Sequence, residues 1–428
     1  VQIRKEKIPT LRETVYRCRL GGSLDAVLVP RPGLTKKIAI LAARYGSLDL
    51  EFKENGRRVT TPPGVAHFLE HQLFKKHGGD ALMEFSRWGA NSNAYTEYTS
   101  TCYYFVCSEN FGRCLAELFK LVFEPEFERK RVENEKSIIE QEILMYEDMP
   151  DVRGSRNLLQ ALYRTHPVRI DIAGSAETIK TITPDTLYRC HREFYNPANV
   201  ILAMAGDLEP QTTFREAEAL MRRVRLEPRE VGRIVYEEGA GVERAQVRAP
   251  MEVSRPRVMI GYKDAIGPDD PETCLRRDVE TSILIDLMFG RSGEFFTKHY
   301  RTGLIDDNFG ASYSTAESYG FSVIGAETER VEDLEREVQR EIERARRGKF
   351  PRRDIERIKR KYAGRFLRSF DSPESAAFLM LEMEQRRTKL ETVLAEIRKV
   401  GVSELARRVR SHFQPENRAI SVIERGKP

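Results

Sequence analysis

Two pieces of punctuation recur along this chain at nearly the same interval. Asp148-Met-Pro150 closes one long helical stretch, and Asp371-Ser-Pro373 closes another 223 positions later. "EFYNPANVILAMAG" (193–206) and "SHFQPENRAISVIE" (411–424) share a second pattern, with Pro197 and Pro415 lying 218 positions apart. In both, an amphipathic helix ends at an aromatic residue, a Pro-x-Asn turn follows, and a β-rich strand comes next. Two markers in the same order at almost one offset predict a duplicated α+β unit of about 200 residues. The stretch 209–249 opens with a short helical piece and then turns irregular and rich in Pro, Gly and Glu, the composition of a linker. The expected organisation is an N-terminal α+β domain over 1–208, a linker over 209–249 and a homologous C-terminal α+β domain over 250–428. In the first half, strands are predicted near 15–20, 25–30, 36–45, 94–107 and 199–206. Helices are predicted near 64–76, 80–88, 110–123, 126–148, 151–164 and 184–195. Strands and helices mix without strict alternation, and the early strands are spaced like hairpins. Each half should therefore be a mostly antiparallel sheet with helices packed on one face.

Composition removes several classes of function. No apolar run approaches the roughly 18–20 residues of a membrane span. The first twenty residues are polar and basic, so no secretory signal is expected there, and a start at Val1 leaves room for a short removed segment. Six scattered cysteines without a CxxC pair read as reduced core residues of a cytoplasmic protein. Cys102, Cys107 and Cys114 match no zinc module in their spacing. The net charge of +5 is a small imbalance between 71 basic and 66 acidic side chains. The basic run at 344–365 alternates with acids in the manner of a solvated helix face, so no nucleic-acid partner is expected.

"TPPGVAHFLEHQLF" (61–74) carries the chemistry. Pro62-Pro63-Gly64 blocks a helix before Val65, and the run that follows fits one. His67 and His71, four apart, project from one face a turn apart, the spacing two imidazoles need to reach one zinc ion. Glu70 flanks that face, where a carboxylate can take a proton from a polarised water. Two packed, hydrogen-bonded histidines are the plain alternative. A third ligand should be a polar residue where the helical pattern demands an apolar one. On the helix "ERKRVENEKSIIEQEILMYEDM" (128–149), advancing about 100° per residue sets Glu135 and Glu142 on the apolar side. Val132, Ile139, Ile143 and Tyr146 flank them on one side, and Ile138 and Met145 on the other. Carboxylates in such a stripe need a compensating charge, either a divalent metal or a neighbouring arginine.

His67-x-x-Glu70-His71 followed by "EKSIIEQEILMYEDMPD" (135–151) resembles the pitrilysin/insulinase family of inverted-motif zinc peptidases. "GANSNAYTEYTSTCYYF" and "HPVRIDIAGSAETI" extend the resemblance, which is similar in particular to the zinc-bearing chains of a bacterial processing-peptidase-like subgroup. The resemblance implies one Zn2+ per chain, with His67, His71 and Glu142 as ligands. It implies Glu70 as the catalytic base that activates a zinc-bound water, and Glu135 as a supporting acid of the catalytic group. "NSNAYT" (91–96) matches the edge strand that pairs with a peptide substrate, Asn93 and Ala94 contacting its backbone; read without the resemblance, it is an ordinary turn entering a strand. The family fold of two homologous halves agrees with the duplication. At the 223-residue offset Glu142 maps to Arg365, and no His pair occurs after 250, so the second half should be metal-free.

One family feature is missing. Active members supply an arginine, and a tyrosine seven residues on, that stabilise the developing oxyanion. In "FFTKHYRTGLIDDNFG" (295–310) those positions are His299 and Asp306. The resemblance then implies a zinc metallo-endopeptidase that is the catalytic subunit of a heterodimer. A homologous non-zinc subunit would carry the Arg/Tyr pair, the pair enclosing a chamber for peptides and unfolded segments; failing that partner, the chain would be a homodimer. The competing readings are a non-catalytic peptide-binding or assembly subunit of the same fold, and a zinc-stabilised structural protein.

Overall fold

The computed structural model describes residues 2–264, 270–348 and 350–426. The chain divides into two compact units. The first is built on a seven-stranded sheet in the order Arg4–Ile8, Glu13–Leu20, Leu24–Pro30, Val200–Gly206, Lys37–Ala43, Thr101–Cys107 and Asn91–Thr96. The second is built on a five-stranded sheet in the order Gln246–Met251, Arg418–Arg425, Arg257–Lys263, Gly320–Glu327 and Gly310–Thr315. Both sheets are antiparallel except at one position. Val200–Gly206 runs parallel to Leu24–Pro30, and Arg418–Arg425 runs parallel to Gln246–Met251. Each of these returning strands follows a single turn of 3-10 helix, Pro197–Asn199 or Pro415–Asn417. The two Pro-x-Asn turns therefore feed topologically equivalent strands, as the repeated punctuation predicts.

The single strand expected over 94–107 is a hairpin, Asn91–Thr96 and Thr101–Cys107, with Ala94 opposite Tyr103. Asn91–Thr96 ends the sheet order and, among the described residues, pairs on one side only. The central strands Lys37–Ala43 and Val200–Gly206 are buried along almost their whole length. Leu41 and Met204 join one core with Phe68, Leu73, Leu118 and Phe214, so the helices carrying those residues cover that face. The opposite face of the same strands receives the helix Pro373–Gln385.

That helix is the main departure from the expected domain limits. The units are not the contiguous segments 1–208 and 250–428. The first comprises 1–143, 171–234 and 366–391, and the second comprises 144–170, 235–365 and 392–428. Each helix that follows an Asp-x-Pro marker belongs to the unit built on the other half's sheet. Pro150–Leu162 packs on Arg257–Lys263 and Arg418–Arg425. Gly154 faces Met259 and Ile423 there at ordinary packing distance, and a Cβ on Gly261 would stand 2.9 Å from Leu158. Pro373–Gln385 buries Ala376, Ala377 and Met380, and its Phe378 meets Tyr104 edge-on at 5.3 Å. The stretch expected as a linker is tied down at two places. Gly232–Arg233 pairs with Phe52 and Lys53, and Glu238 accepts backbone N–H groups from Arg164, Thr165 and His166 and the ammonium of the fully buried Lys263.

Candidate metal centre

The histidine helix spans Val65–Phe74. Gly64 starts it at φ 94°, and a Cβ there would stand 2.5 Å from the Ala173 carbonyl oxygen, so only glycine fits. Gly174, at φ 76°, makes the reciprocal approach to the Pro63 carbonyl. The helix start is thereby held against the "DIAGS" loop. Phe68, Leu69 and Leu73 enter the core and leave His67 and His71 on the remaining face, their ring centroids 4.6 Å apart.

The acidic helix spans Arg129–Glu147 and buries Val132, Glu135, Ile139 and Ile143. Its first turn is tied to the histidine helix: the Gln72 amide donates to the Arg131 carbonyl, and the Arg131 guanidinium donates to the Lys75 carbonyl. The apolar stripe is narrower than the periodicity suggests. Ile138 and Met145 are about half exposed, so Glu142 lies at the rim of the buried face and only Glu135 is inside it. The buried face is the one that meets the core, and residues some 60–80° away on the helix stay outside it.

The two helices bring His67, His71 and Glu142 together, with one ligand atom of each within 4.8 Å of the others. Among the described residues this is the single such group of His, Cys, Asp and Glu. His67 Nε2 lies 3.7 Å from Glu142 Oε1, and His71 Nε2 lies 3.4 Å from Glu142 Oε2. Donors at about 2.0–2.2 Å from a tetrahedral zinc stand roughly 3.3–3.5 Å from one another, so the spacing suits an ion at their centre. The plain alternative, rings packed and hydrogen-bonded for structure, fits His67 poorly. Among the described residues its buried Nδ1 has no hydrogen-bond partner, and its Nε2 faces Glu142 beyond hydrogen-bond reach. Burial, followed by the neighbouring His71, pushes the His67 pKa down to about 3, so the ring is neutral at pH 7 with a lone pair to offer. The donor set therefore fits zinc.

The remaining residues take distinct places. Glu135, 4% exposed, bonds His71 Nδ1 at 3.0 Å, on the side of the ring away from Glu142. It stands behind a candidate ligand rather than among the three. Burial of the His71 ring opposes its positive charge, but the bond to Glu135 and the nearby carboxylates outweigh this and raise its pKa. Glu70 is buried beside them and accepts a hydrogen bond from Thr96 Oγ1 at 2.6 Å. Burial raises its pKa despite that bond. Asn93 is exposed on the edge strand, and its Oδ1 accepts from the Ala94 N–H at 2.8 Å, so that N–H points away from the sheet. His299 and Asp306 are engaged inside the second unit. His299 is buried against Phe295 with Glu337 3.4 Å away, and Asp306 lies 3.6 Å from Arg255. Sequence reasoning did not single out Thr96, whose link to Glu70 spans 26 positions and has no local signature.

A two-unit α+β fold with an inverted His-x-x-Glu-His helix and a distal glutamate defines the class of insulinase-like metallopeptidases. The model described as Insulinase (Peptidase family M16) matches residues 58–176, and that described as Peptidase M16 inactive domain matches 181–362. The chain belongs to this M16 insulinase family. It is 34% identical to the "Uncharacterized zinc protease YmfH" of Bacillus subtilis over 92% of this chain and 95% of that one. A solved M16-like peptidase from Alicyclobacillus acidocaldarius superposes with a TM-score of 0.93 at 29% identity, covering 100% of this chain and 99% of the other. An Arabidopsis thaliana protein named "Probable mitochondrial-processing peptidase subunit beta" is 26% identical over 43% of this chain and 36% of its own length.

Proposed function

We propose that this chain is a zinc metallo-endopeptidase acting on peptides and unfolded segments. The observation that carries the reading is the meeting of His67, His71 and Glu142 beside the buried Glu70. His67, His71 and Glu142 hold the ion, and Glu135 fixes His71 so that Nδ1 is committed and Nε2 is left for ligation. Zinc, when bound, supplies Lewis acidity that polarises the attacking water and the scissile carbonyl. Glu70 removes a proton from that water and delivers it to the departing amine. An extended peptide adds to the open side of Asn91–Thr96, replacing the Asn93 side chain at the Ala94 N–H with its own carbonyl. Main-chain pairing of this kind selects for unfolded chain rather than for sequence.

His299 and Asp306 stand where the family pattern asks for arginine and tyrosine, and both are occupied locally. The chain is accordingly the catalytic subunit of a heterodimer, the homologous partner lacking zinc and contributing the electrophile-stabilising pair, with a homodimer as the fallback. A non-catalytic peptide-binding subunit would not need Glu70 as well as a complete ligand set. The scattered cysteines, with no disulfide among the described residues, support a reducing, cytoplasmic location. Metal content and turnover of a quenched peptide test the reading. Glu142→Gln loses zinc, whereas Glu70→Gln keeps zinc and loses hydrolysis. Full turnover by Glu70→Gln would overturn the mechanism, and full turnover by the lone chain, unchanged by the partner, would overturn the heterodimer.

A further inference from the structure

Among the described residues, the Glu70 carboxylate has one protein hydrogen bond, from Thr96 Oγ1 to Oε2, and Oε1 has none. Thr96 is the last residue of the edge strand Asn91–Thr96, and it is only half-buried, so water is at hand to satisfy its hydroxyl. The bond to Glu70 is therefore not a requirement of burial.

The backbone of Thr96 is located by contacts that do not involve the histidine helix. Thr96 lies directly opposite Thr101 across the hairpin. Thr101 is fully buried, donates to the Tyr45 carbonyl at 2.8 Å, and places its Oγ1 3.5 Å from Thr96 Oγ1. The hairpin turn is closed by the Glu97 N–H to the Ser100 carbonyl. It is anchored to the next loop by the Ser47 and Leu48 N–H groups, which donate to the Glu97 and Tyr98 carbonyls at 3.0 Å each. Gly46 permits that approach, since any Cβ there would collide with the Glu97–Tyr98 backbone.

We propose that Thr96 is a positioning residue for the general base. It holds Oε2 so that Oε1 is presented to the reacting water. It also sits on the strand that carries the peptide, so one rigid hairpin sets both the substrate register and the base. The inference rests on the endopeptidase reading and assigns to this hairpin the distance between edge strand and carboxylate. A hydrogen bond to a charged group corresponds to a factor of about ten to one hundred when lost.

The test compares Thr96→Val, which keeps the shape without the hydroxyl, with Thr96→Ser, which keeps the hydroxyl. Both are assayed as the zinc-loaded chain, with the partner subunit where turnover requires one, alongside Glu70→Gln. Thr96→Val should lose about ten- to hundredfold in kcat with KM and zinc content little changed, and Thr96→Ser should recover to within about threefold. Crystal structures of wild type and Thr96→Val give a readout independent of turnover, with the Glu70 side chain expected in a different or mixed rotamer in the variant. Wild-type kcat in Thr96→Val, an unmoved Glu70 rotamer, or equal losses in Val and Ser variants overturn the positioning role. Activity retained by Glu70→Gln overturns the underlying reading instead.

Discussion

The bond between Glu135 and His71 allows a graded prediction of metal affinity. A neutral imidazole carries one proton, and the Glu135 carboxylate 3.0 Å from Nδ1 holds it there. This leaves the Nε2 lone pair on the side of Glu142, 3.4 Å away. Glu135→Gln retains an acceptor of nearly the same shape and removes only the charge. A charge-assisted hydrogen bond is worth about 1.5–3 kcal/mol and a neutral one about 0.5–1.5 kcal/mol. The difference, about 1–1.5 kcal/mol, weakens zinc binding roughly five- to tenfold. Glu135→Leu removes the acceptor and strands the Nδ1–H in a buried site, a cost of about 1–3 kcal/mol, so its loss should approach one hundredfold. Competition against a fluorescent chelator at pH 7.5 measures both dissociation constants, with circular dichroism confirming the fold. The order wild type, Gln, Leu is the expected result. Equal affinities for all three would refute the view that Glu135 orients the ligand.

Three further outcomes follow from the packing. Gly64→Ala must place a Cβ against the Ala173 carbonyl at positive φ, and should lower stability to denaturant by about 2–4 kcal/mol with loss of zinc. Asp264 is buried against Arg408 and His412, pairing the Arg408 guanidinium and hydrogen-bonding His412 Nδ1; Asp264→Asn leaves the guanidinium without its carboxylate and should cost about 3–5 kcal/mol in urea unfolding of the second unit. Burial raises the Glu238 pKa, but Lys263 and three backbone N–H groups outweigh it and lower it from 4.5 to about 2. The folded value lies below the unfolded one, so this stabilisation is complete above pH 4.5 and disappears as pH falls toward 2. Glu238→Gln should remove about 2 kcal/mol at pH 7, after allowance for solvent screening, and should flatten the acid limb of a stability–pH curve. An unchanged acid limb would count against the clamp.

Much of the site was legible because its parts are local. His67, Glu70 and His71 lie within two turns of one helix, and helical geometry alone sets their relative directions. Glu135 and Glu142 announced themselves as acids on a largely apolar face, although the exposed Ile138 and Met145 mean that this face was over-read. The Thr96 bond was not legible, because nothing in "NSNAYT" distinguishes a threonine aimed at a carboxylate from one aimed at water. The fold shows the same divide. The Pro-x-Asn turns marked equivalent returning strands correctly, whereas the exchanged helices after Asp148-Met-Pro150 and Asp371-Ser-Pro373 carried no mark of their destination.

Sequence by itself determined the repeat, the element types and the identity of the candidate ligands, since each depends on spacing along one segment. Only tertiary structure decided which sheet each exchanged helix covers, which carboxylate faces the imidazoles and which bonds one from behind, and which hydroxyl meets Glu70. An amphipathic helix satisfies its own backbone and offers an apolar stripe that any matching sheet can bury. The choice is made by shape, as at Gly261, where a Cβ would stand 2.9 Å from Leu158 of a helix distant in sequence.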